Sequence, residues 1–236
     1  MFSPQGPSLR ELTVQALSSV ERGYDLLAPK FDHTPFRTPP GILTATVEAL
    51  SALGPFDRGL DVCCGTGAGL GVLRPLCREL VAGVDFSAGM LDQARVADPA
   101  AALVRADARA LPFAGAFDLA VTFGALGHFL PRERPAVFEG VYRALRPGGV
   151  FAIAVGAPPG ITSPAYWVTA GFDLVMRVRN ALWRPPFVMY YRTTPLGALR
   201  DDLTAAGFGT TASKLPGLDN VALLLARKPA GPPASR

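Results

Sequence analysis

The sequence predicts an α/β protein with a doubly wound, mostly parallel sheet of seven strands that closes with an antiparallel hairpin strand. Two patterns carry this prediction. From residue 57 onward, short apolar segments alternate with turns and helical segments, which is typical of parallel strands joined by crossover helices. In addition, residues 117–123 form a nearly continuous apolar run, as expected of a central strand that is covered on both faces.

The individual elements follow from apolar periodicity and from turn residues. Strands are predicted over 59–63, 80–84, 102–105, 117–123, 150–155, 208–215 and 221–227. Helical spacing predicts helices over 9–24, 42–53, 70–80, 90–94, 135–145 and 195–206. Ser87 and Thr194 are placed to cap two of these helices, and Arg146-Pro147-Gly148-Gly149 is placed to stop a third.

The alternation defines the domain organisation. Residues 1–56 are predicted to be an N-terminal helical segment that serves as a lid, 57–156 and 196–228 a single core, and 229–236 a flexible tail. Residues 157–195 interrupt the core with an insertion rich in aromatic side chains, in which Ser163-Pro164 begins a helix and Pro185-Pro186 ends it.

Composition narrows the class of protein. With 49% hydrophobic and 18% charged residues the chain is predicted to be globular, and no apolar run approaches the roughly 18 residues of a membrane span. No secretory signal is visible, and Cys63, Cys64 and Cys77 form neither a disulfide framework nor a metal site, so we expect a cytoplasmic protein without metal. The net charge of +4 comes from scattered arginines, which argues against nucleic-acid binding because that needs clustered charge.

A glycine-rich turn after the first predicted strand is the candidate binding loop. Gly65, Gly67 and Gly69 let a ligand lie against the main chain, and the helix N-terminus behind them attracts a carboxylate or phosphate. A nicotinamide-dependent oxidoreductase also has such a loop, but its third fingerprint glycine would fall on Leu70. The spacing therefore argues against a dinucleotide.

Several segments in order give the chain a family resemblance. They are the loop Leu60-Asp61-Val62-Cys63-Cys64-Gly65-Thr66-Gly67, the acids in Gly83-Val84-Asp85-Phe86-Ser87 and Ala106-Asp107-Ala108, the strand Phe117-Asp118-Leu119-Ala120-Val121, and Leu145-Arg146-Pro147-Gly148-Gly149. Together they resemble the class I S-adenosylmethionine-dependent methyltransferases that act on small molecules, which have a Rossmann-like fold. The resemblance covers about residues 57–155 and, by pattern, 196–227.

The resemblance implies S-adenosylmethionine as cofactor and assigns residues to its parts. Asp85 would hold both ribose hydroxyls, Asp107 the adenine amino group, and Phe86 or Leu111 the ring face. The methionine end would lie over Gly65 and Gly67, with Asp61 holding its ammonium group directly or through water. The remaining residues expected at the cofactor are Thr66, Ala108, Phe123 and, in a Tyr-Asp pair that resembles the lid of related enzymes, Tyr24.

Methyl transfer needs alignment of acceptor, methyl and sulfur and exclusion of water, so a catalytic residue is optional. The chain holds two histidines, His33 and His128, and either is a candidate general base for a hydroxyl acceptor. A structural role for each histidine stays open.

The acceptor is predicted to be a small apolar or aromatic molecule that the insertion 157–195 covers, although its aromatic side chains could instead pack the insertion on the core or form a dimer contact. Two other functions remain open from the sequence: a cofactor-binding regulatory module without catalysis, and the nicotinamide-dependent oxidoreductase. The oligomeric state does not follow from the sequence.

Overall fold

The structure is a computed structural model that describes residues 5–157, 159–185, 187–190 and 195–231. Its centre is a sheet of seven strands in the order β3-β2-β1-β4-β5-β7-β6. The strands are β1 (Phe56–Val62), β2 (Cys77–Asp85), β3 (Ala102–Arg105), β4 (Phe117–Thr122), β5 (Leu145–Gly156), β6 (Gly209–Leu215) and β7 (Leu218–Arg227). β1 to β5 pair in parallel, whereas β7 is antiparallel to both β5 and β6. The predicted fold class is confirmed.

Helices cover both faces of the sheet and its carboxyl edge. They are α1 (Leu9–Leu17), α2 (Val20–Leu27), α3 (Pro40–Ser51), α4 (Ala68–Leu73), α5 (Ala88–Ala97), α6 (Arg134–Ala144), α7 (Pro164–Leu182) and α8 (Leu196–Ala205). Two apolar clusters, one on each face of the sheet, bury the strands between these helices. No helix among the described residues has the length and apolar character needed to cross a membrane.

The N-terminal helix predicted over 9–24 is two helices. Ser8 and Ser19 each accept a backbone N–H and so begin a new helix, and the chain turns at Ser18 between α1 and α2. Apolar spacing alone does not show this break, because its signal is polar: the serine side chains bond to backbone N–H groups and so favour helix starts over helix interiors. The turn brings α2 against α5 and toward the carboxyl edge of the sheet.

Two further boundaries differ from the sequence prediction. The helix after the glycine loop was predicted to reach residue 80, but α4 ends at Leu73, because Pro75 cannot continue it, and Cys77 already belongs to β2. The run Arg146-Pro147-Gly148-Gly149 does not lie outside the strand, since β5 begins at Leu145 and includes it, with Gly148 at φ +82°. The predicted cap Thr194, Pro186 and residues 232–236 of the predicted tail lie outside the described residues.

Asp118 ties three strands together at the amino edge of the sheet. Its Oδ2 accepts the backbone N–H groups of Asp57 (3.2 Å) and Arg58 (2.9 Å) at the start of β1, and its Oδ1 accepts Arg146 Nη1 of β5 at 3.0 Å. The carboxylate therefore fixes β4 between its two neighbours through charge-assisted bonds.

We expect Asp118→Ala to lower the free energy of unfolding by about 1–3 kcal/mol, because it leaves these backbone donors unpaired. Urea unfolding monitored by circular dichroism measures the change. Asp219→Ala is the matched control, since Asp219 is also in an ion pair but its side chain is 98% exposed. Equal unfolding free energies for the two variants would contradict the role of Asp118.

Candidate active site at the carboxyl edge of the sheet

A cavity of about 620 Å³ opens at the carboxyl ends of β1 to β4, with α2 and residues 188–190 on its outer side. The strand order reverses between β1 and β4, and α/β sheets bind ligands at such a switch point. Polar groups from the strand ends line the inner part of this cavity, and apolar side chains line the outer part.

Two buried carboxylates stand at the inner end. Asp61 in β1 is 1% exposed and Asp85 at the end of β2 is 7% exposed. Burial raises the pKa of Asp61 well above its usual value, and the nearby negative charge of Asp85 raises it further. Oδ2 of Asp61 is buried and has no hydrogen-bond partner among the described residues, and Asp61 is one of the residues that line the cavity.

Asp85 is held by the backbone on both of its oxygens. Oδ2 accepts the N–H of Gly65 at 2.9 Å and Oδ1 accepts the N–H of Ser87 at 2.9 Å. Burial raises the pKa of Asp85, while these N–H groups oppose the rise. Each carboxylate oxygen keeps a further lone pair, so Asp85 can still accept two hydrogen bonds from a ligand.

The glycine loop takes a conformation that L-residues rarely adopt. Gly65 and Gly67 have φ of +51° and +97°, and Cys63, directly after β1, has φ of +58° despite its side chain. The loop is anchored at its tip, where Thr66 Oγ1 donates to Asp32 Oδ1 at 2.8 Å. This backbone strain beside a cavity is typical of a binding site.

Asp107 enters the cavity already paired. Its carboxylate accepts Nε and Nη2 of Arg109, with Nη2 at 2.6 Å from Oδ2, and Arg109 Nη1 donates to Glu133 at 2.7 Å. The guanidinium holds the pKa of Asp107 below its usual range. Asp107 is therefore ionised at neutral pH but has less free acceptor capacity than Asp61.

His128 and Tyr24 form a hydrogen-bonded pair in the outer part of the cavity. His128 Nδ1 lies 2.8 Å from the carbonyl oxygen of Val188, which can only accept, so Nδ1 carries the proton. Nε2 then accepts from the Tyr24 hydroxyl at 2.9 Å. Enclosure in the protein lowers the pKa of His128, so the ring is neutral at pH 7 with its basic nitrogen toward Tyr24.

Aromatic and sulfur-containing side chains complete the outer wall. Tyr24 stacks on Phe187 with ring centroids 6.3 Å apart, and Phe187 is buried in one apolar cluster with Met176 of α7. The apolar residues that line the cavity here include Val20, Phe31, Phe36, Phe129, Met189 and Tyr190, while Phe86 and Phe123 line it directly after β2 and β4. Such a wall suits an apolar or aromatic ligand.

The structure brings most of the sequence-predicted site residues together. Those that line the cavity are Tyr24, Asp61, Gly65, Thr66, Asp85, Phe86, Asp107, Ala108, Phe123 and His128. Three predicted residues do not line the cavity: Gly67 shapes the loop, Leu111 is buried in the core, and His33 is exposed.

Sequence reasoning missed three residues that organise the site. Asp25 Oδ1 accepts Ser87 Oγ at 2.6 Å and Gly89 N–H at 2.9 Å, which fastens α2 to the start of α5. Asp32 accepts a hydrogen bond from Thr66, and Arg109 forms an ion pair with Asp107. For Asp25 a signal existed, since it follows Tyr24 directly; the partners of Asp32 lie too far along the chain to be inferred.

Comparisons with known proteins agree on one family. A family model described as a methyltransferase domain matches residues 60–149. An uncharacterized methyltransferase of Synechocystis sp. is 32% identical over 158 residues, which covers 66% of this chain and 69% of the relative. A tRNA (carboxymethyluridine(34)-5-O)-methyltransferase of Xenopus tropicalis is 34% identical over 155 residues, 64% of this chain, but the match spans only 23% of that protein.

Solved structures share the fold. Human N-acetylserotonin methyltransferase in complex with S-adenosylmethionine superposes with a TM-score of 0.61, covering 95% of this chain and 60% of that one. The two sequences are 16% identical, so this likeness concerns the fold alone.

We predict that the buried carboxylate of Asp61 leaves room only for glycine at position 69 of α4. A Cβ at Gly69 would overlap the carboxylate of Asp61, so we expect Gly69→Ala to lower the free energy of unfolding by about 1–3 kcal/mol in protein without ligand.

Gly71→Ala in the same helix is the control, because a Cβ there meets nothing within 4 Å. It should raise the free energy of unfolding by about 0.5–1 kcal/mol, since alanine favours the helix over glycine. Urea unfolding of both variants tests this, and a Gly69→Ala protein as stable as the wild type would show that the packing of Asp61 is not tight.

Proposed function

The chain belongs to the class I S-adenosylmethionine-dependent methyltransferases, and we propose that it methylates a small apolar or aromatic molecule bound beside His128. The observation that carries the proposal is the division of one cavity into an acidic inner part and an apolar outer part. The inner part suits a cationic cofactor rich in hydrogen-bond donors, and the outer part suits an apolar acceptor.

The hydrogen-bond acceptors in the inner part of the cavity fit S-adenosylmethionine. Bound in the cavity, this cofactor supplies an activated methyl group on a positively charged sulfur. Its ammonium group would pair with Asp61, whose Oδ2 is unpartnered among the described residues, and its ribose hydroxyls with Asp85. A cation would also relieve the repulsion between the two buried carboxylates that raises the pKa of Asp61.

The remaining cofactor contacts come from the next strand ends. Phe86 and Ala108 would flank the adenine, with Asp107 accepting from its amino group on the side that Arg109 leaves open. Gly65 and Thr66 would carry the methionine end over the loop backbone that Gly67 shapes, and Phe123 would separate it from the acceptor.

Tyr24 and His128 are proposed to handle the acceptor proton. When a hydroxyl acceptor is methylated, its proton must leave, and His128 Nε2 is a neutral base that can take it directly or through the Tyr24 hydroxyl. The bond from Nδ1 to Val188 fixes the ring orientation and stabilises the imidazolium that forms. The surrounding apolar wall excludes water from the transfer.

The proposed function is tested by calorimetric titration with S-adenosylmethionine, followed by measuring S-adenosylhomocysteine formation with a panel of phenols, hydroquinones, amines and bulk tRNA. We expect turnover with a small apolar member of the panel. Because a relative methylates tRNA, the expectation against a nucleic-acid acceptor stays a prediction, and turnover with tRNA alone would overturn the small-molecule proposal. If neither S-adenosylmethionine nor S-adenosylhomocysteine binds at millimolar concentration, the proposed function is wrong.

Asp85→Ala should weaken binding of S-adenosylmethionine by about 1–3 kcal/mol, because a charged acceptor is lost. A sharper readout compares adenosine with 2′,3′-dideoxyadenosine. Wild type should prefer adenosine and Asp85→Ala should not, whereas Asp92→Ala on the exposed side of α5 should keep the preference. A preference that survives in Asp85→Ala would show that the ribose lies elsewhere.

The pH profile of kcat/KM should identify the base. Burial lowers the pKa of His128, so the wild-type rate should stay level as the pH falls to about 6.5 and decline only below it, as the base becomes protonated. His128→Asn should abolish this decline at low pH, called the acid limb, and should lower kcat/KM by about 10²–10⁴-fold. Tyr24→Phe should move the acid limb to a different pH. If His33→Asn loses the limb instead, His33 is the base.

A further inference from the structure

The outward side of α7 is apolar along its whole length. At 3.6 residues per turn, nine positions fall within one arc of roughly 140°. They are Pro164, Trp167, Val168, Gly171, Leu174, Val175, Val178, Ala181 and Leu182, and every one of them is exposed. We call these nine residues the α7 outer face. No polar side chain interrupts it within Pro164–Leu182, all of which the structure describes.

The side chains of the α7 outer face are largely exposed, although the helix already packs on the protein through its other side. Val168, Val175 and Leu182 are 71%, 64% and 80% exposed, whereas Asp173 and Met176 on the opposite side are buried. α7 is thus already packed on the protein through its inner side. A continuous apolar face of this kind on a folded chain marks a surface that something covers.

Positive charge borders the α7 outer face. Arg177 flanks it on one side and Arg179 on the other, and Arg184 follows the end of the helix. Arg177 is held over the ring of Tyr190 at 4.7 Å, and Arg179 is held by the carbonyl oxygens of Ser18 and Pro185. The segment 157–195 contains four arginines and a single acid, Asp173, which is buried.

The charges distinguish between two candidates that could cover the α7 outer face, namely a second copy of the chain and an anionic surface. In a pair of α7 helices from two copies of the chain, parallel or antiparallel, arginine flanks would face arginine flanks with no exposed acid on the helix to compensate. An anionic surface meets the same arginines with attraction. Trp167 near the start of α7 and Trp183 directly after its end, 67% and 54% exposed, are the residue type enriched at the boundary between headgroups and acyl chains.

We propose that the α7 outer face docks the protein on the surface of an anionic lipid bilayer. The apolar residues enter the acyl boundary, and the exposed side chains of Arg177 and Arg184 contact the headgroup phosphates. Docking would place the cavity at the membrane, because Met176 on the inner side of α7 belongs to the same apolar cluster as Met189 and Tyr190, which line the cavity. The consequence that an apolar acceptor can enter from the bilayer rests on the proposed function; the docking itself does not.

The test is flotation with vesicles of phosphatidylglycerol and phosphatidylcholine in equal parts, at about 0.1 M salt, together with tryptophan emission. The chain has two tryptophans, Trp167 and Trp183, so its whole tryptophan signal comes from this region. We expect flotation and a blue shift with these vesicles, and weaker binding with phosphatidylcholine alone or at high salt.

Val175→Glu is expected to reduce the bound fraction to about a tenth or less, because it places a charge in the acyl boundary. Val96→Glu in α5 is the matched control, since Val96 is 78% exposed but lies outside the α7 outer face, and it should float like the wild type. Glutamate favours a helix at least as well as valine, so both variants should fold, and calorimetric titration with S-adenosylmethionine checks this separately.

Three results would overturn the proposal. They are wild-type protein that stays at the bottom of the gradient with unchanged tryptophan emission, equal flotation of Val175→Glu and wild type, and a vesicle-free dimer that Val175→Glu dissociates, which would assign the α7 outer face to a second copy. Failure to bind S-adenosylmethionine would instead count against the proposed function, while the flotation result would still decide the docking.

Discussion

The site depends on the bonds that Asp85 accepts from the backbone. Its two oxygens join the glycine loop, through Gly65, to the start of α5, through Ser87, and Ser87 in turn donates to Asp25 of α2. One buried carboxylate therefore connects the loop, the helix after β2 and the N-terminal segment. Because a buried carboxylate is costly unless hydrogen-bonded, these three elements are held in one relative position whenever Asp85 is ionised.

Two buried carboxylates make the electrostatics at the centre of the protein unfavourable. Asp61 and Asp85 are both buried, both have raised pKa values, and Asp61 has an unpartnered oxygen among the described residues. Such groups favour a cationic ligand and cost stability without one. Under the proposed function, the site trades stability for binding, as is common where function needs charge in a low-dielectric environment.

The N-terminal segment and the insertion form the outer wall of the cavity, opposite the carboxylates of Asp61 and Asp85. Tyr24 of α2 reaches His128 after β4, and Phe187 beyond α7 stacks on Tyr24, so residues from three distant parts of the chain form the outer wall. α7 supports this wall with its inner side and exposes an apolar face to the outside. The helix links the outer part of the cavity to the surface at which we propose the protein meets a bilayer.

The sequence by itself determined the sheet and the acidic positions. Strand–turn–helix alternation predicts a parallel sheet, and residues at or just after the ends of its strands, such as Asp85 and Asp107, must lie at one edge because the carboxyl ends of parallel strands coincide. Local turn chemistry was less certain, as the early end of α4 and the serine caps between α1 and α2 show. Only the tertiary structure decided that Tyr24 pairs with His128, that Arg109 occupies Asp107, and that one side of α7 stays uncovered. The physical reason is that periodicity tells which residues share a face of an element, whereas what covers that face depends on segments far away in the chain.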